Sequence, residues 1–89
     1  MAQIDFVSLT KAWTPFADIV GTVGTKEYII QNRGADSLVA LEADSTPADN
    51  TPDGVMVLPN DCAVYVKGSQ NLYLRAFNKG CSINVTEGE

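Results

Sequence analysis

Short runs of β-branched and aromatic residues, each followed by a turn signal, recur along this chain at even spacing. Such runs suit a pleated, half-buried surface and are typical of β-strands. No segment shows a convincing helical period of apolar residues. The pattern predicts an all-β protein, a small antiparallel β-sandwich or barrel of about seven to eight short strands. A length of 89 residues suits one domain over 1–89, with residues 1–25 its least clearly patterned part.

The clearest pattern of strand, turn and strand is EYIIQNRGADSLVAL, residues 27–41. The YII triplet favours a strand, and the LVAL run continues the apolar pattern after the turn. Between them, Asn32-Arg33-Gly34 has turn chemistry, and Gly34 can take a positive φ without strain. We therefore expect a β-hairpin here.

The flanking segments add further expectations. Residues 3–10 partly alternate, which predicts a strand at a sheet edge. Trp13 and Phe16 are expected to cover one end of the core. The continuously apolar run at residues 55–58 favours a strand buried on both faces. Residues 78–80, Asn-Lys-Gly, predict a hairpin turn before the last strand.

Residues 42–54, EADSTPADNTPDG, form a sharp change of composition, with no basic residue and two prolines. This composition predicts a long loop, and such loops are usually functional or mobile. A calcium site is the weaker interpretation, because the partial EF-hand match has Thr51 at its third position and no closing Glu. Solvated turn carboxylates are the favoured one. The acidic residues of the loop are Glu42, Asp44, Asp49 and Asp53.

The charge balance limits the function. The chain has 11 acidic and 6 basic residues, a net charge of −5 and no His. Nucleic-acid binding depends on Lys and Arg, so no nucleic-acid partner is expected. Without His, and with neither a zinc-ligand pair of cysteines nor a phosphate-binding loop, the usual catalytic sites are missing. We expect a protein that is not an enzyme and has no cofactor or metal.

The segments that would direct the chain to a membrane are also missing. No apolar run approaches the roughly 20 residues that cross a bilayer, so no membrane partner is expected. The start, MAQIDFVSLTKAW, lacks the basic and long apolar regions of a signal peptide. Synthesis in the cytoplasm, a reducing compartment, predicts that Cys62 and Cys81 are free thiols. A disulfide between them is the less favoured alternative.

One strand suggests a binding surface. In LYLRAF, residues 72–77, alternation turns the two leucines and the alanine inward, and the other three side chains outward or toward a neighbouring chain. Aromatic residues and Arg are enriched at protein interfaces. The alternative is that this second face is the other side of a sandwich core. With the loop carboxylates, the candidate interface residues are Tyr65, Tyr73, Arg75, Phe77, Asp44, Asp49 and Asp53.

The order of motifs resembles a group of small virion proteins of tailed bacteriophages, over about two-thirds of the chain. Such proteins share a YxIQNxG strand and turn, followed by a GxxLxPG turn. An LYxRA strand and a final strand that ends in VTE come after them. The chain departs from this pattern at Asn60-Asp61, where Gly usually follows the proline, and in its two cysteines. The matching residues are Tyr28, Ile30, Gln31, Asn32 and Gly34; Gly54, Leu58 and Pro59; Leu72, Tyr73, Arg75 and Ala76; and Gly80, Ile83, Val85, Thr86 and Glu87.

The resemblance implies a virion structural protein on the exterior of the capsid, made in the host cytoplasm. It implies a capsid decoration (cement) protein that binds the major capsid protein and stabilises the shell. Proteins of this kind commonly act as homo-oligomers, here a dimer or trimer. The alternative is a tail or fibre component that binds a host receptor or another tail protein.

Overall fold

A computed structural model describes residues 3–21, 27–48 and 54–88, with side chains from Val7 onward. This part of the chain holds eight strands and one short helix. In chain order they are β1 (Gln3–Leu9), β2 (Thr14–Pro15), α1 (Phe16–Val20), β3 (Glu27–Asn32), β4 (Leu38–Ala43), β5 (Val55–Val57), β6 (Cys62–Val66), β7 (Asn71–Ala76) and β8 (Cys81–Glu87).

The strands form two four-stranded antiparallel sheets. The first sheet has the order β1-β8-β3-β6, and the second has the order β2-β7-β4-β5. This arrangement confirms the predicted all-β sandwich, and β1 lies at an edge as predicted. Among the described residues, no helix is long and apolar enough to cross a membrane.

The main core lies between the two sheets. Ile30, Ile83 and Val85 of the first sheet pack in one buried cluster with Leu38 and Leu74 of the second. Their alternation along the strands explains this, since every second side chain of a strand faces the same side. The inward orientation predicted for residues 72, 74 and 76 is confirmed.

Three aromatic rings close one part of this core. Phe16, at the start of α1, packs edge-on against Tyr28 with ring centroids 5.1 Å apart. It also packs edge-on against Tyr65 at 5.6 Å. Edge-to-face contacts of this kind stabilise beyond the area they bury. Phe16 is therefore part of the core, whereas Trp13 belongs to a separate cluster with Val39 and Tyr73.

The hairpin predicted at residues 27–41 is wrong. β3 belongs to the first sheet and β4 to the second, so the segment between them crosses from one sheet to the other. Gly34 does not have a positive φ. It is needed for close approach instead, since a Cβ there would lie 2.8 Å from the backbone nitrogen of Ser82.

Two other predictions, one of a turn and one of a buried strand, are also wrong. β7 and β8 lie in different sheets, so residues 78–80 are a crossover and not a hairpin turn. The strand at residues 55–58 is not buried on both faces: only Val57 is buried, and its neighbours Val55, Met56 and Leu58 are exposed. β5 is the edge strand of the second sheet, so no further strand lies beside it to cover Val55 and Met56.

Candidate functional site

One side of the sandwich is open and apolar. β5 ends the second sheet, β6 ends the first, and residues 58–61 join the two strands. Six large apolar side chains on or beside these strands leave 42% to 67% of their surface exposed. We call this set the open edge: Ile29, Val55, Met56, Leu58, Val64 and Val66.

The open edge arises because β6 is apolar on both faces. Ala63 and Tyr65 point toward the core, and Val64 and Val66 point outward. Ile29 of β3 lies directly across from Val64 in the sheet and extends the same exposed surface. An outward-facing strand position normally carries a polar side chain, so these valines need an explanation beyond folding.

A groove separates the two edge strands. It has a volume of about 510 Å³ and is lined mainly by apolar side chains of both sheets, with Glu42 and Gln70 as polar members. Tyr65 also lines it, and burial raises the pKa of this phenol, with the charge of Glu42 adding to the effect. The phenol therefore stays neutral at physiological pH, and the groove suits apolar side chains. Its apolar lining includes Ile30, Ala40, Val55, Val57, Ala63 and Leu72.

Two of the predicted interface residues are not on the surface. Tyr65 is 9% exposed and Tyr73 is 5% exposed, so their predicted outward, accessible placement is wrong. Tyr65 belongs to the main core. Tyr73 faces away from that core, but Trp13 and Val39 cover it in a second buried cluster. The alternative of a second core layer therefore describes Tyr73 correctly.

Arg75 lies beside this second cluster. Its guanidinium carbon is 5.1 Å from the centroid of the Trp13 ring, in cation–π contact. The Trp13 ring is held in turn by a hydrogen bond of 3.0 Å from its Nε1 to the carbonyl oxygen of Ala48. Trp13 thus covers the outer face of the second sheet, and Arg75 is half-buried against it.

The remaining predicted residues are separate from one another. Phe77 is exposed, as predicted, and lies in the crossover that follows β7. Asp44 is exposed just after β4. Asp49 and Asp53 lie outside the described residues, as does most of the partial EF-hand match. Within the described parts of the chain, no group of three Cys, Asp or Glu side chains could hold a metal ion.

Asn32, the asparagine of the YxIQNxG motif, is the centre of a buried hydrogen-bond network. Its side chain is fully buried. Nδ2 donates to the carbonyl oxygens of Asp36 at 2.8 Å and Val57 at 3.0 Å. Oδ1 accepts a hydrogen bond of 3.0 Å from the backbone N–H of Gly34. One amide thereby joins two of the connections between the sheets.

Asp36, in the connection from β3 to β4, joins it to the connection from β7 to β8. Its Oδ2 accepts hydrogen bonds from the backbone N–H groups of Asn78, Lys79 and Gly80, at 2.8, 2.7 and 3.1 Å. Its Oδ1 accepts one from Ser37 at 2.9 Å. Burial raises the pKa of this carboxyl, but the four backbone hydrogen bonds outweigh it and hold the pKa below the ordinary 3.8. Asp36 is therefore a structural anion.

Both cysteines are free, which confirms the prediction. Cys62 is exposed at the start of β6, and Cys81 is buried at the start of β8. Burial, with a smaller contribution from the charge of Asp36, raises the pKa of Cys81 to about 11. Cys81 is therefore protonated and unreactive at neutral pH.

The sequence reasoning missed the open edge as a surface. The signal was present in the printed sequence: CAVYV at residues 62–66 is apolar at alternate positions on both faces, with no charge. A strand at the edge of a sandwich needs only one apolar face.

Comparisons of the chain with protein-family models, with curated proteins and with solved structures give no match.

Proposed function

We propose that this chain is a non-enzymatic virion structural protein that works by protein–protein contact. Its role is capsid decoration: it binds the major capsid protein on the outside of a phage head and stabilises the shell. The observation that carries the assembly role is the open edge, whose six large apolar side chains are exposed on or beside the edge strands. Ile29 and Val64 are paired across the first sheet and share its outer face with Val66, and a contiguous apolar surface of this kind marks interaction sites in soluble proteins.

The chemistry of the open edge favours a protein partner. Its side chains are all aliphatic or Met, and the groove beside it is lined mainly by apolar groups. Aliphatic surface is complementary to other aliphatic surface, and burying it supplies the driving force for association. A flexible Met at such a surface adapts to its partner, as Met56 would here.

The phage setting rests on the motif resemblance. Asn32 and Gly34, two residues of the shared motif, hold the crossover from β3 to β4. A motif with that task belongs to the fold and is expected to be shared by proteins of one architecture. The net charge of −5 suits the outer surface of a head better than its DNA-filled interior.

The test is binding to emptied heads that lack the protein. Purified protein is added, and bound copies and the temperature of head disruption are measured. We expect saturation at hundreds of copies per head and a higher disruption temperature. No binding and an unchanged disruption temperature would contradict capsid decoration.

Copy number in whole particles separates this proposal from a tail or fibre role. A decoration protein is present in hundreds of copies, and a tail component in a few to a few dozen. Recovery of the protein only in isolated tails would favour the tail role.

A further inference from the structure

The four sheet edges of the sandwich are protected to different degrees. Exposed edges invite pairing with other strands, and natural proteins block them with bulges, charges, prolines or very short strands. β1 has a register shift between Ile4 and Val7. β2 has two residues and β5 has three. β6 has five residues and contains no charge, proline or glycine.

We propose that two copies of this chain pair antiparallel through β6, around a two-fold axis at Val64. Val64 is the central residue of the strand, so this register aligns all five residues of both copies. The backbone N–H of Cys62 donates to Oδ1 of its own Asp61 at 2.9 Å and changes partner on pairing. The two first sheets then join into one continuous sheet. The pairing rests on the strand itself and does not depend on a capsid role.

The charges that flank β6 fit this register. In an antiparallel pair centred on Val64, Asp61 of one copy lies opposite Lys67 of the other, and the same pairing recurs at the other end. Both side chains are exposed. Opposite charges directly across two antiparallel strands stabilise their pairing, whereas like charges destabilise it. A protein with a net charge of −5 thereby meets its own copy with complementary charges.

The exposed side chains of β6 also suit this pairing. Val64 is 63% exposed and Val66 is 55% exposed, and both point outward from the first sheet. Edge-to-edge pairing also places the Val64 and Val66 side chains of the two copies on one face of the joined sheet.

The first test is the mass in solution, from sedimentation over a range of concentrations. We expect wild type to have twice the monomer mass of 9.5 kDa. Val64→Lys places two like charges directly opposite each other across the paired strands and should weaken dimerisation about fivefold. The matched control is Ser8→Lys, which adds the same charge at an exposed position on β1, the opposite edge strand, and should leave the dimer unchanged.

The second test reads the register. The predicted pairing places Cys62 opposite Val66 of the other copy. Val66→Cys should therefore form a disulfide-linked dimer on mild oxidation, and Cys62→Ser in the same chain should abolish it. Within one copy the two positions are about 13 Å apart along the strand, too far for a disulfide. Wild type should not cross-link, because its two Cys62 residues lie at opposite ends of the pair.

The third test reverses the flanking charges. Lys67→Glu should weaken the dimer, because it places like charges opposite Asp61, and adding Asp61→Lys should restore it. A wild-type mass of one copy or of more than two, a dimer that Val64→Lys leaves intact, or no cross-link with Val66→Cys would overturn the inference. Binding to emptied heads tests the capsid role separately, so the two can fail independently.

Discussion

At the scale of single residues, a few polar side chains determine how the chain passes between its sheets. Asn32 is buried and uses both its amide hydrogens and its oxygen in hydrogen bonds to three backbone groups. Each of those groups would otherwise be without this partner, and unpaired buried polar groups are costly. Asn32 therefore stabilises the fold through the two N–H donors and the one oxygen acceptor of its amide.

Replacing this amide should destabilise the fold. We expect Asn32→Ala to lower the free energy of unfolding by about 3 kcal/mol, because it removes the hydrogen-bond partner of the Val57 and Asp36 carbonyls and of the Gly34 N–H. Urea denaturation measures this. Asn78→Ala is the control, since Asn78 is exposed and uses its backbone N–H with Asp36. A loss with Asn32→Ala no greater than with the control would contradict the network.

Asp36 makes stability depend on pH. Because its pKa is lowered in the folded state, its contribution is fully present above 3.8 and is lost as pH falls through the lower folded value. Asp36→Asn should cost about 1 kcal/mol near neutral pH, a value reduced for partial solvent exposure. The difference from wild type should shrink in acid denaturation below 3.8. Asp44→Asn, at an exposed position, is the control, and a difference that grows toward low pH would contradict this role.

At the scale of strands and connections, the same turn chemistry serves two purposes. Asn32-Arg33-Gly34 and Asn78-Lys79-Gly80 resemble hairpin turns, yet each carries the chain from one sheet to the other. Local sequence specifies that the chain bends. Which strand it then pairs with depends on distant partners, such as the close approach of Gly34 to Ser82.

The same limit explains the prediction for β7. Alternation correctly separated Leu72, Leu74 and Ala76 from Tyr73 and Arg75. Alternation does not reveal that Trp13, from a distant segment of the chain, covers the second face of β7. Alternation alone therefore places Tyr73 on an accessible surface, although its side chain is buried.

This second cluster gives a test at the same scale. Tyr73→Ala should lower the free energy of unfolding by about 3 kcal/mol, as for other large buried aromatics. Thermal melting followed by circular dichroism measures it. Phe77→Ala is the control, because this nearby aromatic ring is exposed and its loss should cost less than about 1 kcal/mol. Equal effects of the two changes would contradict the burial of Tyr73.

At the scale of the whole molecule, hydrogen bonds tie the connections between the sheets together, whereas the edge formed by β5 and β6 is open. Hydrogen bonds from Asn32 and Asp36 join three of the four sheet-to-sheet connections between β3 and β8, all except the one from β6 to β7. At the open edge, in contrast, β5 pairs only with β4 and β6 only with β3, so among the described residues each strand has one unpaired side. The fold class was predictable from strand spacing. The open edge was not, because it depends on which strands end the sheets.

A cryo-microscopy map of the phage particle would test the central claim most directly. The account predicts this sandwich at regular positions on the outer surface of the head, in contact with the major capsid protein. It also predicts that paired copies meet through β6. A map with this density confined to the tail, or with none on the outer surface of the shell, would contradict capsid decoration.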